Sequence, residues 1–269
     1  MQIYDTFLGS SPLWIVFAVT VVIVLLSIVA GYKIGHYVQE RKKYGSVISA
    51  GSVVAASLAL LAFMLAFTFS IAYNRFDARK QIVLDEVNTI GTTYLRADTL
   101  PEPPRSEARK LLRDYVNTRA SLPNTDYWNK PEKVQDLIAK SEAIQDQLWS
   151  QVVYMGRTYP DSEIVSLYIT SLNEMIDLHT ERIVVALQYR IPGPIWGALY
   201  LLTVLTFGLV GFEIGITGGG NVWASFIIAF IFSTVIILIT DLDRPMQGHI
   251  AVSQQPMLQL QEKVLDGGP

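Results

Sequence analysis

The chain contains no cysteine, which excludes disulfides and thiolate metal centres. It has only three histidines, His36, His179 and His249, and no two of them stand at metal-ligand spacing. Charge is also scarce. Asp, Glu, Lys and Arg make up 17% of the 269 residues, well below the share a soluble domain carries, while 51% are hydrophobic. The net charge of −3 gives no support for nucleic-acid binding, which needs a basic surface. No segment alternates apolar and polar residues as a strand would. Catalytic signatures are missing as well: there is no Gly-x-Ser-x-Gly elbow, no phosphate-binding glycine loop and no His-Glu-x-x-His. The glycine-rich "GITGGGN" at 215–221 has no Lys to hold a phosphate and joins two apolar runs, so it is expected to be a tight interhelical turn. The chain is not expected to be an enzyme or to carry a cofactor.

What the sequence does have is four long apolar runs: about Pro12–Tyr32, Val47–Tyr73, Ile195–Ile216 and Val222–Thr240. Each holds roughly 20 residues, enough to cross a hydrocarbon core of about 30 Å. The first is too long and too uniformly apolar for a cleavable signal peptide and is expected to be retained. Composition therefore divides the chain into a first membrane hairpin (12–73), a polar domain (74–191), a second hairpin (195–240) and a tail (241–269). Glu213 is the one acid at the edge of the third run, and it is expected to reach water at the interface.

The polar domain reads as helical. Phe69, Tyr73, Phe76, Lys80, Val83, Val87, Ile90 and Tyr94 recur at alternating steps of four and three, the mark of a narrow helical stripe. The stripe does not pause where the charges begin, so the second span is expected to continue as one helix to about Ala97. Prolines break the chain after it. Further helices follow, one with Leu111, Leu112, Tyr115 and Val116 inward and another with Val134, Leu137, Ile138, Ile144, Leu148 and Val152 inward. A last one is capped by Asp161 or Ser162. The expected fold class is an all-α integral membrane protein with four transmembrane helices and a helical domain inserted between the second and third.

The segment after the fourth run is unusual. Asp241 and Asp243 end a helix whose last carbonyls already carry negative partial charge, and Arg244 and Pro245 follow. Two crossings separate this segment from Arg75 and Arg79, so ion pairing across the same membrane face is the favoured account of the two acids.

"LAFTFSIAYNRFDARKQIV" (65–83), with Tyr73, Arg75-Phe76 and Ala78-Arg79, resembles the point at which the second helix of bestrophins leaves the bilayer. "EVNTIGTTYLRADTLPEP" and "LDRPMQGHIAVS" resemble bacterial bestrophin-like membrane protein families of unknown function more than bestrophins proper. The resemblance implies a homo-oligomeric, pentameric channel in which inorganic anions permeate passively through a pore lined by second spans. It places Phe63, Phe67 and Ile71, four residues apart, at an apolar constriction of the kind that gates by dewetting. Arg75 and Arg79 would then be the charges at the pore mouth or between helices. The family's calcium clasp maps onto Asp241, Asp243 and Arg244, where two carboxylates fall short of the six to eight oxygens calcium takes. The alternative function is a non-conducting membrane sensor or scaffold whose helical domain binds a partner. The resemblance also implies a bacterial inner-membrane protein with a cytoplasmic polar domain. Basic residues do not settle the side: Lys33, Arg41, Lys42 and Lys43 flank spans on one face, and Arg75, Arg79, Lys80, Arg182, Arg190 and Arg244 on the other.

Overall fold

The computed structural model describes residues 11–41, 50–121, 131–187, 189–219, 222–244 and 249–266. Among these the chain forms eight helices: α1 (Leu13–Arg41), α2 (Gly51–Ala97), α3 (Pro104–Ser121), α4 (Pro131–Thr158), α5 (Glu163–Leu187), α6 (Gly193–Thr217), α7 (Val222–Asp243) and α8 (Gln255–Leu265). No strand is present among the described residues. The fold class is all-α, with α1, α2, α6 and α7 long and apolar enough to cross a membrane. The second span runs without a break to Ala97, the residue at which the stripe was expected to end. Ser162 is the cap of α5, its hydroxyl accepting from the Val165 N–H at 3.3 Å. α6 stops at Gly218, whose positive φ of 71° closes the helix with an N–H to the Ile214 carbonyl.

The chain divides into two compact units, and α2 contributes to both. The first holds α1, α2 as far as Arg75, α6 and α7. Its central contact is the pairing of α1 with α6. A Cβ added to Gly31 would sit 1.9 Å from the Gly208 oxygen, and one on Gly211 would sit 2.0 Å from the Ile28 oxygen. Gly35 and Gly215 are as tight, at 2.3 Å from the Phe212 oxygen and 2.4 Å from the Tyr32 oxygen. These glycines stand four apart on each helix and let the backbones touch, the small-residue packing that drives association where lipid supplies no hydrophobic force. Hydroxyls within the apolar helices bond back to carbonyls one turn earlier, as Thr20 does to Val16 and Thr203 to Leu199, so no donor is left to the lipid at those positions.

The second unit holds the remainder of α2 with α3, α4, α5 and α8. One core unites them, built from Ile90, Tyr94, Leu112, Tyr115, Leu148, Met155, Tyr168, Leu172 and Met175. The segment after the last span, read from sequence only as a tail, contributes α8, which buries Met257 and Val264 in that core. The α2 stripe is partly corrected. Val83, Ile90 and Tyr94 are buried as expected, but Tyr73 and Lys80 are exposed. The buried face instead includes Arg79, Glu86, Thr89 and Thr93, polar residues that an apolar count passes over.

The glycine contacts make a direct prediction. Gly211→Ala drives a methyl into the Ile28 backbone and should lower the stability of detergent-solubilised protein by about 1–3 kcal/mol. Gly208→Ala, whose Cβ meets nothing closer than 4.0 Å, should be neutral or slightly stabilising in the same thermal unfolding measurement.

Candidate functional site

Within the membrane segment α2 has two distinct faces. Leu61, Leu65, Thr68 and Ala72 are buried at helical spacing. Phe63 and Phe67 point away from that face and are 66% and 56% exposed, and Ile71 is half-buried. Phe63 and Phe67 thus lie along the side of α2 that the chain's own packing leaves largely uncovered, and Ile71 sits at its edge. Arg75 is half-buried where the apolar run ends, and its Nη1 is buried with no hydrogen-bond partner within the chain. Arg79 is buried at 5% exposure.

Glu213, near the end of α6, has a partner that its sequence position does not name. Its side chain is half-buried, and Oε2 accepts a 2.7 Å hydrogen bond from the Ala50 N–H at the start of α2. A carboxylate at a helix N-terminus is favourable because the unpaired N–H groups there present positive partial charge.

Asp241, Asp243 and Arg244 are all buried at the end of α7. Asp241 accepts from two consecutive backbone amides, His249 at 2.9 Å and Ile250 at 3.2 Å. Asp243 accepts from the Ile191 N–H at 2.9 Å. Arg244 donates to the Ser11 carbonyl at 2.5 Å. Each of these three side chains thus holds the main chain of another segment, a partnership that the sequence reading did not foresee. Pro245 lies outside the described residues. Among the described residues no group of three His, Asp or Glu side chains is placed to hold a metal ion.

The densest charge cluster is one that sequence reading missed. Glu86 is fully buried on α2. Arg119 of α3 reaches its Oε1 through Nε and Nη2, both at 2.8 Å. Arg182 of α5 bonds its Oε2 and also donates 2.7 Å to Gln254, just before α8. Beside them the Tyr115 hydroxyl contacts His179 Nδ1 at 3.3 Å and accepts from Gln145 of α4. Burial raises the Glu86 carboxyl, but the two guanidiniums outweigh it and hold it below the ordinary carboxylate range. Burial, reinforced by Arg119, pushes His179 down to about 4, so it is neutral at pH 7. The sequence does carry a signal for Glu86, since it stands three residues after Val83 and four before Ile90, both on the inward face.

The description "Bestrophin-like domain" matches residues 21–257, most of the chain. This chain belongs to the bestrophin-like family. The described helices resemble a bestrophin homologue from Klebsiella pneumoniae, a single-residue variant, at a TM-score of 0.65 and 16% identity. That match covers 95% of this chain and 98% of the other. A second crystal structure of the Klebsiella homologue gives a TM-score of 0.64 at 15% identity, covering 96% and 100%. A crystal structure described only as a membrane protein variant gives 0.67 at 14%, covering 96% and 99%. None of the curated proteins matches the sequence. At these identities the structures establish the fold, and the family match with the four apolar helices establishes a bestrophin-like membrane protein.

Two predictions test the buried charges. Glu86→Gln leaves two guanidiniums without a counter-charge and should cost about 3–5 kcal/mol. In the intact protein His179 binds its proton less readily folded than unfolded. Stability should therefore fall as pH drops from 6.5 towards about 4, by up to roughly 3 kcal/mol, with the Glu86 contribution lost below that. Thermal midpoints across pH 4–8 would show this slope, and His179→Gln should flatten it above pH 5. Separately, Asp241→Asn can accept on one oxygen only, leaving one backbone amide unsatisfied. It should cost about 1–3 kcal/mol, equally in calcium and in chelator.

Proposed function

We propose that this bestrophin-like protein assembles into a symmetric ring, five copies as in bestrophins, and passes inorganic anions passively along an axis lined by α2. The exposed face of α2 carries this reading. Of the most apolar stretch of each span, 17% is buried inside the chain in α2, against 28% in α1, 39% in α6 and 33% in α7. The second span is therefore the one whose packing a single copy supplies least. Its uncovered side bears Phe63 and Phe67, large rings suited to a narrow apolar neck rather than to an aqueous groove. A closed ring places the same face of every copy at the axis.

In this arrangement Phe63, Phe67 and Ile71 form the constriction, and Arg75 supplies positive charge where the apolar lining ends. An unpaired guanidinium nitrogen at that level attracts anions and opposes cations by simple Coulomb forces. Permeation requires neither catalysis nor a cofactor. In this reading Asp241 and Asp243 serve as backbone staples and not as calcium ligands.

Purified full-length protein fused into planar bilayers should show a current that reverses near the chloride equilibrium potential. Phe63→Ala with Phe67→Ala should widen the neck and raise unit conductance severalfold, and Arg75→Gln should reduce anion-over-cation selectivity. A monomeric or dimeric mass in detergent, or no current across ±100 mV, would sink the proposal and favour a non-conducting scaffold.

A further inference from the structure

An acid within an apolar span is costly to place there, and such residues usually serve a function. Glu213 lies four residues from the end of α6, and its half-buried carboxylate reaches the first residue before α2. Ala50 accepts the first intrahelical bond of α2, from the Val54 N–H at 2.9 Å, and so occupies the cap position. Alanine has no side chain with which to cap a helix, and it is among the poorest residues there. The missing acceptor comes instead from Glu213 on another helix.

The mounting of that carboxylate matters. Gly211 and Gly215 flank Glu213 two residues to either side, and both press directly on the α1 backbone, at 2.0 Å and 2.4 Å from any Cβ they might carry. α6 therefore has little freedom to slide or roll at this level. Glu213 holds the near end of α2 from a fixed support. Phe63 lies about 18 Å further along the α2 axis at 1.5 Å per residue, within the same unbroken helix. A stiff helix transmits a tilt at its capped end to the aromatic rings about three to five turns on.

We infer that Glu213 is a positioning residue that sets the angle of α2, and with it the closed or open position of the Phe63 and Phe67 ring. The inference rests on the pore reading above. It adds a specific element to that reading: the neck is set from the α1–α6 pair through one carboxylate, not only by contacts between the aromatic rings.

The test is single-channel recording of the full chain in planar bilayers, with the oligomeric mass of each variant measured in parallel. Glu213→Ala removes the acceptor and should shift open probability at least threefold while leaving unit conductance and oligomeric mass unchanged. Glu213→Gln keeps a carbonyl that can accept from Ala50 but loses the charge, and should give an intermediate shift. Hydrogen exchange at the first turn of α2 should rise in the same order. Wild-type open probability in both variants overturns the inference, as does a change in unit conductance with unaltered gating. If Glu213→Ala fails to assemble, Glu213→Gln decides alone: an intermediate shift supports the inference, and wild-type gating overturns it. A silent wild-type protein overturns the pore reading and this inference together, whereas a conducting wild type with unaffected variants overturns only the latter.

Discussion

The helical unit is organised around one buried carboxylate. Glu86 has no exposed surface, and it is met by a guanidinium from α3 and another from α5, the second of which also holds the residue preceding α8. A group of this kind adds little net stability, because desolvating three charges offsets most of their attraction. What it does impose is register. α2, α3 and α5 must each present one charged side chain at a single point, and a slip of one residue in any of them leaves a charge buried without a partner. The surrounding apolar core of Leu112, Tyr115, Leu172 and Met175 tolerates small rearrangements far better than this point does.

The membrane unit solves a different problem with different chemistry. Lipid offers no hydrophobic reward for bringing two apolar helices together, so close packing must do so. α1 and α6 achieve it with glycines whose absent side chains let carbonyl oxygens of one helix lie against the backbone of the other. Aromatic contacts such as Phe207 with Phe232 and Phe17 with Phe230 extend the packing to α7. α2 keeps its Phe63 and Phe67 face outside this arrangement. α1 and α6 are thus packed tightly through their glycines, while α2 leaves one aromatic face outside the packing of a single copy.

The legible parts of the fold were those written in long patterns. Four runs of roughly 20 apolar residues identify four spans whatever their neighbours, because the bilayer sets their length. The helix ending at Ala97 was legible because its spacing persists across the change from lipid to water. A serine before Glu163 and a glycine at 218 act on their own local backbone, and both behave as their chemistry predicts. The GxxxG spacings of Gly31 with Gly35 and Gly211 with Gly215 were equally present in the sequence, but spacing alone does not say which helix each would meet.

Sequence by itself determined the class of protein: all-helical, membrane-spanning and bestrophin-like in layout, since hydrophobic length and periodicity are properties of each segment alone. Tertiary structure decided the partners. Asp241 and Asp243 proved to grip backbone amides of His249, Ile250 and Ile191, Glu213 proved to cap α2, and the tail proved to contain a core helix. The physical reason is the same in each case. A carboxylate can be satisfied by an amide, a guanidinium or a cation, and only the folded positions of other segments determine which of them lies within hydrogen-bond reach.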